Sequence, residues 1–274
     1  MPELPEVETV VRGLQPHLVH QVIQQVLVRC DKLRWPIAEN LPCVLRQQTV
    51  HAVARRGKYV LLHCDTGTLL IHLGMSGKLR LLTHAQPAQR HDHVDIIFTH
   101  PFILRYTDPR RFGAILWTQQ PLQHHFLLEK LGPEPLDFAF NADYFYQKIG
   151  TRSAAIKILV MSPSIVVGIG NIYATEALFL AGIHPATPAS QLARADFPVL
   201  VAAIQHILNH AIQCGGTTLK DFVNSVNQPG YFSQQLKVYG RAGKACTHCG
   251  CLLESMVLGQ RSSAFCPHCQ PRIG

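Results

Sequence analysis

Between residues 22 and 118 the chain runs through seven short apolar segments, and no helical pattern separates most of them. They read VIQQVLV, KYVLLHC, GTLLIHL, KLRLL, HVDIIFT, FILRYT and FGAILWT, with turn signals such as DTG at 65–67 and SGK at 76–78 between several. A run of this kind predicts an antiparallel sandwich or barrel. Ahead of it, Val7, Val10, Val11 and Leu14 follow helical spacing and predict an amphipathic helix over roughly residues 5–18. Beyond the proline-rich LGPEPLD at 131–137 the pattern becomes helical. NIYATEALFLAG has Asn171 as an expected N-cap and Gly182 as a stop, and FPVLVAAIQHILNHAIQCGG puts Leu200, Ile204, Ile207, Leu208 and Ala211 on one face. The expected fold class is α+β, with a β-rich domain followed by a helical one.

Composition narrows the partners. At 274 residues and 47% hydrophobic the chain can bury a sizeable core. No apolar run approaches the ~20 residues of a membrane span, and the N-terminus lacks the features of a signal peptide. A soluble, cytoplasmic protein without a membrane partner is therefore expected. The formal charge of +8 points to a polyanion. Residues 237–274 hold Lys237, Arg241, Lys244, Arg261 and Arg272 against Glu254 alone; Arg55, Arg56 and Lys58 form a second cluster, and Arg105, Arg110 and Arg111 a third. Clustered cations release counterions on binding phosphates, so nucleic acid is the favoured partner.

Five of the nine cysteines crowd into residues 246–269, a pattern of metal binding in a reducing compartment. CTHC at 246–249 and CPHC at 266–269 pair two C-x2-C turns across sixteen residues. Cys246, Cys249, Cys266 and Cys269 are the expected ligands of one structural zinc ion, because two such turns complete a thiolate tetrahedron. His248, His268 and Cys251 are also within reach. The intervening loop carries Arg261. VVGIGN at 166–171 offers tight turns and a helix start whose amides suit a phosphate, although a plain connecting turn accounts for it equally. MPELPEVETV, at the amino terminus, places Pro2 where removal of Met1 would expose a secondary amine, and terminal amines titrate well below lysine. Such an amine can attack an aldehyde-like carbon, with Glu3 and Glu6 available to move protons. Taken by themselves these residues read better as the start of a helix, with Pro5 in its first turn and glutamates at its positive end.

Together the motifs resemble the formamidopyrimidine-DNA glycosylases, bacterial enzymes that excise oxidised purines from DNA. The resemblance spans the chain through PELPEVE, RRGKY, HLGMSG, HDHVD, YTDPRRFG, GIGNIYATE, GGTTLKDF, PGYF, VYGR and the cysteine module. It implies an N-terminal β-sandwich catalytic domain over 1–132, a linker over 133–150, a helix–two-turn–helix domain over 151–238 and a zinc β-hairpin module over 239–273. DNA would lie in the cleft between the domains, bound by a monomer in the bacterial cytoplasm, on the nucleoid. Pro2 would attack C1′, Glu3 would help to protonate the opening sugar, and Glu6 would support the same site. Lys58 would contact phosphate and take part in β-elimination, and Arg261 would assist the second, δ-elimination. Met75, Arg110 and Phe112 would fill the space left by an extruded base, since a stacked nucleotide hides C1′. His91, Arg152 and Asn171 would hold phosphates, and Thr217, Thr218 and Lys220 would belong to the base pocket. Ser162-Pro163-Ser164 departs from the family pattern, and no DNA contact is assigned there. Two alternatives remain: an endonuclease VIII-type enzyme for oxidised pyrimidines, and a non-catalytic zinc-ribbon DNA-binding protein.

Overall fold

The structure, a computed structural model, describes residues 1–217 and 232–272. Thr218, Lys220 and most of the expected base-pocket loop therefore lie outside the described residues. The chain divides into two compact units, Met1–Glu129 with Cys214–Ser233, and Lys130–Gln213 with Gln234–Gly274.

The first unit opens with helix α1 (Leu4–Leu18). Pro5 sits in its first turn, where a missing N–H costs no hydrogen bond. Val7, Val10, Val11, Leu14 and Leu18 are all buried, as their spacing predicts, and they join one core with the strands. The strands are β1 (Ile23–Val28), β2 (Val50–Arg56), β3 (Tyr59–Cys64), β4 (Thr68–His72), β5 (Lys78–Leu82), β6 (Asp92–Phe98), β7 (Ile103–Thr107) and β8 (Ala114–Thr118), and a short helix, α2 (Leu41–Leu45), follows β1. They form two four-stranded sheets of order β1-β6-β7-β5 and β2-β3-β4-β8, and every pairing is antiparallel. The seven expected segments are all strands, and β2 is an eighth. Its sequence, VHAVARR, buries only Val50 and Val53. β2 lies at a sheet edge, where polar side chains are tolerated and even useful, so no apolar run marks it.

Arg105 corrects the expected basic clusters. It is 3% exposed on β7, and its guanidinium forks onto Asp95 through Nε and Nη2, both at 2.8 Å. Nη1 reaches Asp92 at 3.3 Å. Arg29 and Arg80 pair with the same two carboxylates from outside. Burial pushes both aspartates up, but hydrogen bonds and the surrounding arginines outweigh it and hold them below the usual carboxylate range. Arg105 also donates to the carbonyls of Gln86 and Pro87 and so pins the loop that leads to His91. It is a structural cation.

The second unit contains α3 (Ala142–Ile149), α4 (Ile156–Val160), α5 (Asn171–Leu180), α6 (Asp196–Gln213) and the hairpin β9 (Glu254–Leu258)–β10 (Arg261–Phe265). Residues 133–150, expected as a linker, thus hold a helix, capped by Asn141 and buried through Phe145 and Ile149. Phe145 packs against Phe140 and Phe197 at ring separations of 5.2 and 5.9 Å. Helix α6 buries Leu200, Ile204, Leu208 and Ala211, while Ile207 is half-buried. Gly182 ends α5 as expected, with φ +69° and its amide on Phe179 O. The N-cap is Gly170, one residue ahead of the expected Asn171. The Asn171 side chain reaches the β9–β10 hairpin instead.

Candidate active site and nucleic-acid interface

In the first unit, α1 begins directly behind Pro2. Pro2 is buried, as are Glu3 and Glu6, while Met1 is 36% exposed. Glu6 Oε2 accepts the Glu3 amide at 2.8 Å. Its Oε1 accepts both the amide and the hydroxyl of Thr217, at 2.8 and 2.9 Å. A carboxylate with both oxygens so engaged holds geometry. It fixes the backbone beside Pro2 and the start of the segment after Gly216. A side chain at Gly216 would put its Cβ 3.0 Å from Glu6 Oε1 on a backbone with φ +81°, so only glycine suits that approach.

Lys58 stands in the two-residue turn between β2 and β3, whose last pair is Arg56 with Tyr59. The same helix that carries Pro2 braces this hairpin. Glu8 binds Arg55 Nε at 2.9 Å, and Arg55 Nη1 donates to Gly57 O at 3.1 Å. Burial pushes Glu8 up, but Arg55 and Arg12 hold its carboxyl below the usual range. His72, at the end of β4, feels the charge of Lys58. Burial first, then Lys58 and Arg34, push His72 down to about 4 against the opposing charge of Asp108. Its Nδ1 accepts the Gly74 amide at 3.0 Å, so the neutral ring carries its proton on Nε2.

Two neighbouring loops present apolar side chains to solvent. Met75 is 41% exposed and Phe112 48%, and the Arg110 guanidinium lies 4.7 Å over the Phe112 ring. Neither residue belongs to the core. Between them lies the fully buried carboxylate of Asp108, which accepts from Ser76 Oγ at 2.7 Å and from the Gly113 amide at 2.9 Å. His91 precedes β6 and is half-buried, and its carbonyl accepts the Asp108 amide at 3.0 Å.

In the second unit Arg261 is exposed at the first position of β10, paired with Leu258 across the turn Gly259–Gln260. The strand behind it is gripped from two helices. Lys157, 1% exposed on α4, places Nζ 2.6 Å from Ser263 Oγ and 3.3 Å from Ser262 O. Asn171 Nδ2 donates to the same Ser262 carbonyl at 3.0 Å, and its Oδ1 is buried with no hydrogen-bond partner among the described residues. Arg152 is exposed just past α3, its amide on Ile149 O. Glu176 on α5 accepts three successive amides, from Lys237, Val238 and Tyr239, at 2.8–3.0 Å.

The ligand atoms of Cys246, Cys249, Cys266 and Cys269 all lie within 4.8 Å of one another. Sγ separations are 3.4 Å for Cys249–Cys266 and 3.9 Å for Cys246–Cys269. Four sulfurs ~2.3 Å from one zinc ion would stand about 3.8 Å apart, so the set fits that ion. Amides of His248 and Cys269 point at the sulfurs of Cys246 and Cys266. Burial raises the Cys246 thiol, but hydrogen bonds led by the Cys249 and His248 amides outweigh it and bring the group down to about 7, whereas burial and the crowded neighbouring sulfurs push Cys266 and Cys269 up, as expected of four thiols packed together before a cation joins them. Exposed Cys251 stands outside the cluster.

Glu8, His72, Asp108, Lys157 and Glu176 escaped the sequence reading as site residues. His72 and Asp108 fall inside motifs that read HLGMSG and YTDPRRFG, which was the available signal. The others act through backbone or through partners tens of residues away.

Family profiles match along the chain in order. Residues 1–115 match the formamidopyrimidine-DNA glycosylase N-terminal domain, 131–223 the formamidopyrimidine-DNA glycosylase H2TH domain, and 243–272 a zinc finger found in FPG and IleRS. A formamidopyrimidine-DNA glycosylase of Hydrogenovibrio crunogenus is 51% identical over 100% of this chain and 98% of its own length. One from Stutzerimonas stutzeri is 54% identical over 98% of this chain and all of its own. Among solved structures, a Lactococcus lactis FPG mutant with Fapy-dG-containing DNA aligns with TM-score 0.91 at 34% identity, covering 99% of this chain and 100% of that one. The L. lactis Fpg bound to abasic-site DNA gives TM-score 0.89 at 34% identity, covering 98% and 100%. The wild-type L. lactis protein with an oxidised-pyrimidine-containing DNA gives 0.90 at 34% identity, covering 99% and 100%.

Proposed function

The chain belongs to the formamidopyrimidine-DNA glycosylase family, and from that premise we propose that its chemistry starts at Pro2. It is a base-excision repair enzyme of two activities: a glycosylase for oxidised purines in double-stranded DNA and a lyase for the abasic site that results. The four cysteines hold one structural zinc ion.

The observation that carries the residue assignment is the burial of Pro2 and Glu3 directly behind exposed Met1, where Glu6 locks the backbone around them. Loss of Met1 frees the Pro2 amine. Its lone pair attacks C1′ as the C1′–base bond breaks, and the departing base takes up the proton that the amine gives up; Glu3 then protonates O4′ as the C1′–O4′ bond breaks and the iminium forms. Glu6 positions both residues. Removal of a C2′ proton then expels the 3′ phosphate, with Lys58 against the phosphate. Arg261, held on the zinc hairpin, assists expulsion of the 5′ phosphate. Met75, Arg110 and Phe112 occupy the space of the extruded nucleotide, with the apolar side chains as wedges and Arg110 on the opposite base. His91, Arg152 and Asn171 take backbone phosphates, and Thr217, Thr218 and Lys220 belong to the pocket for the base. Residues 1–132 form the catalytic domain, 133–150 connect it to the DNA-binding domain at 151–238, and 239–273 form the zinc module. No helix among the described residues is long and apolar enough to cross a membrane. The enzyme works as a monomer in the bacterial cytoplasm, on nucleoid DNA.

Intact-mass measurement tests the first requirement: Met1 should be absent, and a retained or acetylated terminus would overturn the mechanism. A duplex panel tests the substrate. Oxidised guanine and formamidopyrimidine should outrank thymine glycol. A preference for the pyrimidine would favour the second reading, which has support in the oxidised-pyrimidine complex of the L. lactis protein.

A further inference from the structure

The hydrogen bonds of Asp108 join two loops that the proposed function sets against DNA. Its carboxylate is 0% exposed. Oδ1 accepts from Ser76 Oγ at 2.7 Å, while Oδ2 accepts from the Gly113 amide at 2.9 Å and lies 3.2 Å from the Tyr106 hydroxyl. Its carbonyl accepts the Arg111 amide at 3.2 Å and His93 Nε2 at 2.9 Å. Ser76 Oγ closes the circuit by accepting the Arg110 amide at 3.2 Å. Loop 73–77 carries Met75, and turn 108–113 carries Arg110 and Phe112. The loops are in direct contact, because a Cβ on Gly74 would strike the Phe112 backbone. Arg111, whose amide donates to the Asp108 carbonyl, takes a left-handed φ of +56° in this turn.

We propose that Asp108 is a positioning residue that locks Met75, Arg110 and Phe112 into one wedge, so that they enter the duplex together. The inference rests on the reading of those three side chains as the set that fills the vacated space. An inserted wedge is pushed back by the stacking it interrupts, and two exposed loops resist that push only if cross-linked. A buried carboxylate receiving neutral donors supplies such a link, since an alternative arrangement would leave it unsatisfied away from solvent.

Two variants test the link. Ser76→Ala removes the hydroxyl that joins the loops, and Asp108→Asn replaces one of the two acceptor oxygens with a donor and removes the charge. Three readouts are taken: cleavage of an oxidised-guanine duplex relative to a single-stranded abasic oligonucleotide, opposite-base preference, and the coupling between Met75→Ala and Arg110→Ala. Each variant should lower the duplex-to-single-strand ratio about tenfold, mostly through kcat, and flatten the opposite-base preference. Met75→Ala and Arg110→Ala should be non-additive in the parent and additive in the Ser76→Ala background. A residue of merely structural importance would lower the melting temperature without moving the ratio or the coupling. If Asp108→Asn fails to fold, Ser76→Ala decides. Folded variants that keep the parent ratio, preference and coupling would overturn the link. Silent Met75→Ala and Arg110→Ala would instead overturn the wedge reading beneath it, and the link with it.

Discussion

Arg105 and Arg110 stand five residues apart in one basic cluster, and the structure gives them opposite surroundings. Arg105 is enclosed by Asp92 and Asp95, whereas Arg110 lies over Phe112 at the surface. Sequence alone did not separate them, because the carboxylates that claim Arg105 sit on the neighbouring strand and are identified only by register. Arg105→Ala should destabilise the fold by about 3 kcal/mol in urea denaturation, since it removes the buried cation that Asp92 and Asp95 share and leaves them only the more exposed Arg80 and Arg29. Arg110→Ala should leave stability nearly unchanged and lose opposite-base preference more than general affinity. Equal destabilisation by the two would contradict the assignment. His72 makes a prediction in pH. Its folded value near 4 lies below the ordinary 6.5, so between these values the unfolded chain binds a proton that the folded chain rejects. Stability therefore rises with pH across that window, by on the order of 2–3 kcal/mol, and the contribution is complete above it. The pH dependence of unfolding in His72→Asn should be shallower between pH 4 and 6.5 than in the parent.

Strands and helices were legible where they bury a periodic face. α1 and the seven apolar strands announce themselves because each presents hydrophobic side chains to one core. β2 does not, since an edge strand bearing Arg55 and Arg56 has little apolar surface to show. Asn171 read as a cap because its type suits one; its Nδ2 instead donates one hydrogen bond to the Ser262 carbonyl of the zinc hairpin, 91 residues away. The elements also explain how distant residues are aimed. α1 carries Pro2 just ahead of its start and, through Glu8 and Arg55, steadies the turn that presents Lys58. Glu8→Gln should cost only about 1 kcal/mol of stability, as partly exposed ion pairs do, but should slow abasic-site cleavage more than base excision. Parallel loss of both steps would argue against a role centred on Lys58. The zinc hairpin holds Arg261 through four cysteines in a module with a small core, where metal binding contributes folding energy directly. Chelation should abolish the second elimination and weaken DNA binding. A chelated protein that still completed both eliminations would remove the need for the metal.

For the molecule as a whole, the charge of +8 and its clusters pointed correctly to nucleic acid, although not every cation in them faces it. Long-range electrostatics should appear as a steep fall of affinity with salt. Arg152→Ala should reduce the slope of log affinity against log salt by about 1, the signature of one lost phosphate contact, while Arg105→Ala should leave the slope unchanged. The order of motifs from residue 2 to residue 269 made the family legible from sequence. The internal bracing was not, since Glu6 with Thr217 and Lys157 with Ser263 are contacts more than 100 residues apart in sequence. The central claim is that the first residue of the mature chain does the covalent chemistry. Borohydride reduction during turnover on an oxidised-guanine duplex tests it most directly. The account predicts a protein–DNA adduct that maps to Pro2, whereas an adduct on a lysine, or none from folded and zinc-loaded protein, would contradict it.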